Sequence, residues 1–215
     1  VWETLKDGLI QEITKRGMSI EVTDHSHSFW VSPARFAKDH PEYFALVEGE
    51  RLTDRRNRPY GEDPPHLCVS NPEVVRIVAD GMIAYLKANP EVETLGLWSN
   101  DNVDYCQCEA CVAMDGPDHM YTRRELLFNS RVSELVSKEF PDREIAALVT
   151  SAWKADREED VPTDVTPASN SFLWFAPINA CYRHSIADET CSINKSVREY
   201  LEGWLRLFPA NRVGI

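Results

Sequence analysis

Short apolar segments alternate with amphipathic ones along most of the chain, and this alternation constrains the fold more than any other feature. Asn71 is a good helix N-cap and Pro72 suits the first helical position; the apolar residues that follow repeat at helical spacing. The next apolar segment, residues 94–98, has a strand pattern. Alternating strands and helices predict a parallel sheet flanked by helices, and continuous apolar strands are typical of strands buried on both faces.

The same patterns predict roughly five strands and the start of a further one. Helical patterns cover residues 5–16, 71–86, 122–140 and 192–205, with Ser192 as the cap of the last helix. Strand patterns cover residues 19–22, 94–98, 144–151 and 172–176. Residues 66–70 are predicted to form a short strand or an extended segment, and a further strand begins near 213. Residues 43–52 form a hairpin-like excursion with Gly49 at its turn.

A complete (β/α)8 barrel needs eight strand–helix units and about 250 residues, whereas this chain has 215. We therefore predict an α/β fold, an incomplete TIM-like barrel with parallel strands and outer helices, as one partial domain over residues 1–215. The first segment is already helical and the last is the start of a strand, so we expect both ends to be cut and any export signal to lie upstream. An open doubly wound sheet is the alternative. It is less favoured because no glycine-rich phosphate loop follows a strand.

Composition excludes two classes of partner. The net charge is −12, and the short cluster Arg51, Arg55, Arg56 and Arg58 is flanked by acids, as in a solvated loop. Nucleic-acid binding would need a basic patch. No apolar run approaches the roughly 20 residues of a membrane span.

Polar residues follow the predicted strands, where active sites of parallel α/β proteins collect. After residues 94–98, Asp101 is a candidate general acid or base, and Asn100 could hold a substrate hydroxyl or orient the acid. The alternative is an ordinary Asn-Asp turn. After residues 19–22, His25 and His27 share a face of an extended chain and could bind a metal or a substrate, or simply make hydrogen bonds.

Aromatic residues beside polar ones suit sugars, which present C–H faces and hydroxyl edges. Trp153 follows one predicted strand, and Tyr182 and His184 follow the next, so all three are candidate substrate ligands. Trp204 lies on an apolar helical stripe and is predicted to be core, and core is also favoured for Trp174.

The cysteines give the sharpest signal. Cys106, Cys108 and Cys111 place three thiols within six residues, which favours thiolate coordination of one zinc ion over strained local disulfides. The fourth ligand would be Cys68 or His119. The ion would be structural and would pin the loop that carries Asp101. Disulfides, such as one between Cys181 and Cys191, or reduced free thiols are the alternatives.

Several segments together resemble the bacterial domain-of-unknown-function family four-eight-three-eight, over about residues 25–208. The matching features, in chain order, are His27-Ser28-Phe29; residues 40–47 with Gly49 and Arg51; residues 67–74; Asn100-Asp101 followed by Tyr105, Cys106, Cys108 and Cys111; and the spaced Cys181, His184 and Cys191.

That family is similar to glycoside hydrolase (β/α) barrels of the α-glucuronidase and hexosaminidase type. The resemblance implies a general acid at Asp101, His27 facing the same cleft, and an exported protein, periplasmic or extracellular. His66 and Ser99 depart from the pattern, because glutamine is expected at both positions.

The sequence thus predicts a glycoside hydrolase acting on polysaccharide-derived glycans, with a carbohydrate as its partner and no organic cofactor. Glycosidases use two carboxylates about 5–10 Å apart. The second could be Asp24, Asp104, a residue beyond Ile215, or the acetamido group of the substrate. A non-catalytic carbohydrate-binding barrel is one alternative. A metal-dependent hydrolase using His25, His27 and His184 is another.

Overall fold

The computed structural model describes residues 2–54, 64–116, 121–150 and 161–215. Its helices are α1 (Trp2–Lys15), α2 (His27–Trp30), α3 (Pro33–Phe36), α4 (Pro72–Ala88), α5 (Glu109–Val112), α6 (Tyr121–Ser137) and α7 (Ser192–Leu205). Its strands are β1 (Ile20–Val22), β2 (Leu46–Val47), β3 (Glu50–Arg51), β4 (Val92–Gly96), β5 (Glu144–Thr150), β6 (Ser171–Ala176) and β7 (Val213–Gly214). No described helix has the length and apolar composition that a membrane span requires.

Five parallel strands form the main sheet in the order β1-β4-β5-β6-β7, which is also their order along the chain. A doubly wound sheet would reverse direction at a switch point, and this sheet does not. The strands instead curl into a half-barrel with helices around it, which confirms the predicted incomplete barrel. The helices α4 and α6 pack against each other, and α6 also packs on β5 and β6.

The two faces of the sheet differ, as the barrel requires. Leu173 and Ala147 are buried and belong to the same apolar cluster as Trp204 of α7, which confirms Trp204 as core. Leu148 and Trp174 alternate with them, point to the opposite face and are only partly buried. The sheet therefore has an apolar outer face under the helices and an inner face with accessible side chains.

The local signals for α4 are confirmed. Asn71 is its N-cap and accepts a hydrogen bond from the Glu73 amide at 2.9 Å, with Pro72 at the first position. The predicted cap of α7 was wrong by one residue, since Cys191 occupies the N-cap position.

The segment 66–70 does not join the main sheet as a strand. It makes a single antiparallel bridge, between Leu67 and Phe44, and its backbone bonds with the 43–45 segment. The predicted excursion itself is present, as β2 and β3 joined through Glu48 and Gly49 with φ of 53° and 88°. Those left-handed conformations suit a tight hairpin turn.

Candidate functional site

A cleft of about 350 Å³ lies at the carboxyl ends of the strands β4, β5 and β6. Its walls combine aromatic rings with a few polar groups: His25, Trp98, Asp101, Leu148, Thr150, Trp174, Phe175, Ala176, Pro177, Ile178 and Ile215. Pockets of 300–1,000 Å³ with apolar walls and a small number of polar groups are typical small-molecule sites.

His25 and Trp98 form one side of the cleft. A parallel bridge joins their backbones just beyond β1 and β4, and their rings meet edge to face with centroids 5.8 Å apart. The Nδ1 of His25 contacts the Ser99 carbonyl, which can only accept, so Nδ1 carries the proton. In the neutral imidazole, Nε2 is then the acceptor.

Trp174 lines the inner face of the sheet. Its indole Nε1 donates to the carboxylate of Glu21 on β1. The sequence favoured a core position for Trp174, and that prediction was wrong because the inner face is not closed over by the described strands. Burial raises the pKa of Glu21, against the lowering effect of the bond from Trp174.

Asp101 is exposed and lines the cleft, on the turn after β4. Its neighbours hold this turn in place. Asn100 is buried and its amide donates to the Pro65 carbonyl at 2.7 Å, while the Asn102 amide donates to the Pro64 carbonyl at 3.1 Å. Asn100 does not line the cleft, so the contacts observed for it hold the backbone that presents Asp101. A role in substrate binding stays a prediction.

His27 lies behind the cleft rather than in it. It is 1% exposed, its ring packs on Phe128, and its Nε2 is 3.8 Å from the Glu125 carboxylate of α6. Burial lowers the pKa of His27 to about 3 and raises the pKa of Glu125 to about 7. Between those values both groups are neutral, and no hydrogen bond joins them. His27 was expected to face the cleft, but the histidine that lines it is His25.

The remaining predicted substrate ligands lie elsewhere. Trp153 falls outside the described residues. Tyr182 is 84% exposed and does not line the cleft. His184 contacts Cys181, with Nδ1 3.2 Å from Sγ. Among the described residues, no potential metal-binding group includes His25 or His27, so the structure does not unite the three histidines of a metal-dependent hydrolase.

Four cysteines do come together. The sulfurs of Cys68, Cys106, Cys108 and Cys111 all lie within 4.8 Å of one another, and we call these residues the four-cysteine cluster. Cys68 Sγ is 3.7 Å from Cys108 Sγ and 3.9 Å from Cys111 Sγ. A disulfide needs about 2.05 Å. A tetrahedron around zinc, with Zn–S bonds of about 2.3 Å, has edges of about 3.8 Å. The donor set and spacing therefore fit a metal ion.

Polar groups surround the sulfurs as they do in thiolate sites. The Leu46 amide donates to Cys106 Sγ at 3.3 Å, and an Arg51 nitrogen lies 3.9 Å from the same sulfur. Hydrogen bonds from Cys106 and Cys111 hold the pKa of Cys68 well below its usual range, whereas bonds with Cys106 and Cys68 raise that of Cys111. A cation between the four sulfurs would favour the ionised form of each thiol.

A buried network joins the four-cysteine cluster to the loop of Asp101. The side chain of Arg124 on α6 is 1% exposed and donates to the Cys106 carbonyl at 2.7 Å. It also makes a bidentate salt bridge to the Asp115 carboxylate, with N–O distances of 2.7 and 2.8 Å. Tyr105 stacks on His66, which contacts the Asn102 carbonyl through Nε2 at 2.9 Å. The cluster and the cleft thus share one framework.

Sequence reasoning missed Thr150, Trp174 and Glu125 as site-region residues. Thr150 and Trp174 sit on strands whose pattern indicates only burial, and Glu125 follows two arginines, like a solvated helix face. A useful signal for Thr150 was its place at the end of the predicted strand 144–151.

Five parallel strands in chain order, with a polar and aromatic cleft at their carboxyl ends, define a partial (β/α)-barrel domain. The chain belongs to the family described as Domain of unknown function (DUF4838), whose model matches residues 3–213. No curated protein matches the sequence at a significant level.

Among solved structures, the chain is similar to the GH36 alpha-galactosidase AgaA from Geobacillus stearothermophilus, with a TM-score of 0.48 and 13% identity over 96% of this chain. It is also similar to a family GH13_31 enzyme, with a TM-score of 0.47 and 11% identity over 94% of this chain. The chain spans 25% of the galactosidase chain and 43% of the GH13_31 chain.

Proposed function

We propose that this domain binds a carbohydrate in the cleft and belongs to a glycoside hydrolase in which Asp101 is the general acid. The observation that carries the proposal is the composition of the cleft: Trp98 and Trp174 lie at the carboxyl ends of parallel strands together with His25 and Asp101. Catalytic groups of (β/α) barrels collect at this edge.

The cleft has the chemistry that a sugar ring needs. Indole rings offer flat apolar faces to the C–H groups of a sugar, and polar groups at the edge bond its hydroxyls. Trp98 and Trp174 supply the rings. His25 Nε2 supplies an acceptor and Thr150 a hydroxyl group.

Asp101 would donate its proton to the leaving oxygen of the glycosidic bond. Its exposure on a turn held by Asn100 and Asn102 leaves the carboxyl group accessible to a substrate in the cleft. A second group must then act as base or nucleophile, or the substrate's acetamido group must take that role. Of the described residues that line the cleft, Asp101 is the only carboxylate, so we assign the second role to another part of the protein or to the substrate.

We propose zinc as the ion of the four-cysteine cluster. Zinc takes four thiolates in tetrahedral geometry, and a closed set of four protein ligands is typical of a structural site. Arg124 and Tyr105 connect the cluster with the turn that carries Asp101. The zinc ion would therefore hold the acid in position without touching the substrate.

The test is turnover by the full-length protein on a panel of uronic-acid and acetamido glycosides. Asp101→Asn keeps the shape of the side chain but cannot transfer a proton, and the loss of a general acid costs about 10²–10⁴ in rate. Asp80→Asn, on the exposed face of α4 and outside the cleft, is the matched control and should keep wild-type rates. Equal rates in wild type and Asp101→Asn would reject Asp101 as the acid.

A non-catalytic carbohydrate-binding barrel is the second candidate. The single carboxylate among the described cleft-lining residues favours it, because glycosidases usually need two. This candidate predicts that wild type and Asp101→Asn bind the same glycans and that neither turns any of them over.

A further inference from the structure

We propose that Cys181, His184 and Cys191 form a second metal site, which binds one zinc-like divalent ion through three protein ligands and leaves a fourth position open. Their ligand atoms all lie within 4.8 Å of one another, and Cys181 Sγ is 3.2 Å from His184 Nδ1. Two sulfurs and one imidazole nitrogen are a donor set that selects zinc and related thiophilic ions. We call these three residues the Cys-His-Cys site.

The turn that carries two of the ligands is held in shape without a metal. Asn194 of α7 is fully buried, and its side chain accepts from the Cys181 amide at 2.7 Å. Its amide group donates to the carbonyls of Cys181, His184 and Ser185 at 3.1, 3.0 and 3.1 Å. One buried side chain therefore fixes the backbone on both sides of the first two ligands, which lowers the ordering entropy that metal binding would otherwise cost.

The third ligand is fixed independently. Cys191 is the N-cap of the 14-residue helix α7 and is buried. Its amide donates to the Asp188 carbonyl at 3.2 Å, and Asp188 in turn accepts from the Thr190 amide at 2.9 Å. The loop between His184 and Cys191 is thus closed by its own bonds.

The Cys-His-Cys site differs from the four-cysteine cluster in access. His184 is exposed and Cys181 is only partly buried, so the fourth position of a tetrahedral ion would meet water. Three protein ligands plus water is the arrangement of open zinc sites, whereas four cysteines make a closed one. The site also lies in the loop that begins with Pro177 and Ile178, both of which line the cleft. A bound ion would fix the rim of the cleft.

A disulfide between Cys181 and Cys191 is the competing use of the same sulfurs. All six cysteines are free in the structure. The decisive difference is His184, which a metal site requires and a disulfide does not. Because His184 is exposed, its replacement should leave the fold intact.

The experiment is metal analysis of the purified full-length protein after zinc loading and removal of weakly bound ions. His184→Ala and Cys191→Ser should each lose one equivalent of zinc per chain relative to wild type, with an unchanged circular dichroism spectrum. His40→Ala is the matched control, since the side chain of His40 is 45% exposed and pairs with Glu42 away from the site. It should keep the wild-type zinc content.

Cobalt provides a second readout that does not depend on the other cluster. Replacement of zinc by cobalt should give a wild-type spectrum that is the sum of a four-sulfur centre and a centre with mixed sulfur and nitrogen ligands, and His184→Ala should remove the second component. The proposal is overturned if His184→Ala keeps the full metal content, or if thiol titration of the zinc-loaded protein finds Cys181 and Cys191 joined as a disulfide.

Discussion

The four-cysteine cluster and the cleft lie on neighbouring parts of the same barrel edge, yet they are built in opposite ways. The cluster is closed: Cys106 and Cys111 are buried, and backbone and side-chain groups surround the sulfurs. The cleft is open: Asp101 is exposed, and Trp98 and Trp174 are partly exposed. We infer from this difference that the cluster stabilises the fold, whereas the cleft is the place for substrate binding and reaction. Changes in the cluster should then act on stability, and changes in the cleft on binding and turnover.

The largest effect is expected from Cys111→Ser. Structural zinc sites contribute binding free energies of about 10–16 kcal/mol in small domains, so the loss of one thiolate should lower the free energy of unfolding by roughly 5 kcal/mol or more. Val112→Ser, the exposed neighbour on α5, should change it by less than about 0.5 kcal/mol. Denaturant unfolding in the presence of zinc measures both. Equal stability of the two variants would show that the cluster is not a stabilising metal site.

Two adjacent arginines test the network that links the cluster to the cleft. Arg124→Met removes the bidentate bond to the carboxylate of Asp115, whose side chain is 3% exposed, and should cost about 3–5 kcal/mol. Arg123→Met breaks a pair with Asp164, whose side chain is 63% exposed, and should cost under about 1 kcal/mol. Thermal unfolding of the two variants compares them directly. A larger loss of thermal stability in Arg123→Met than in Arg124→Met would contradict the stabilising role of the network.

Glu125 should make the stability of the folded protein depend on pH. Its pKa is raised to about 7 in the folded protein from 4.5, so the folded state favours the neutral acid. The stabilisation of the fold by the neutral carboxyl group is complete below about pH 4.5. As the pH rises through 7, this stabilisation is lost, and the loss amounts to roughly 3 kcal/mol. Glu125→Gln should match wild type at pH 5 and be more stable at pH 8. Parallel pH profiles of the two proteins would contradict the shift.

The neighbouring His27 acts in the opposite direction. Its pKa is lowered to about 3, so stability is lost as the pH falls from about 6.5 towards 3. This loss should occur equally in wild type and in Glu125→Gln. The comparison between the two proteins therefore isolates the carboxyl group.

The smallest of the predicted effects is one on binding, and it is expected from Trp98→Ala. Loss of one stacking ring should weaken glycan affinity about 10-fold, which corresponds to about 1.4 kcal/mol, while the metal content is unchanged. Phe29→Ala removes an aromatic ring that is 67% exposed outside the cleft, and it should leave the affinity unchanged. Calorimetric titration with a glycan that wild type binds measures both. An equal loss of glycan affinity in the two variants would show that the cleft is not the binding site.

The alternation of strands and helices and the four-cysteine cluster could be predicted because their signals are local. Three of the four cysteines lie within six residues, and α4 carries its own cap and apolar stripe in the sequence. The segment 66–70 shows the limit, since its partner was the excursion at 43–45 rather than the sheet.

The cleft was harder to predict because distant residues build it. Trp174 on β6 donates a hydrogen bond to Glu21 on β1, three strands away in the sheet, and no local pattern indicates that contact. His25 and His27 share a face only in an extended chain. The helix α2 begins at His27, and the imidazole of His27 packs against Phe128 of α6. Glu125 is buried by packing that its charged neighbours in the sequence do not suggest.

The most direct test of the central claim is a crystal structure of the full-length Asp101→Asn protein with a glycan that the wild type binds or cleaves. We expect a sugar ring in the cleft, in contact with Trp98 and Trp174, and its glycosidic oxygen within hydrogen-bond distance of the side chain at position 101. A glycan bound only at another surface, with the cleft free of sugar, would contradict the account.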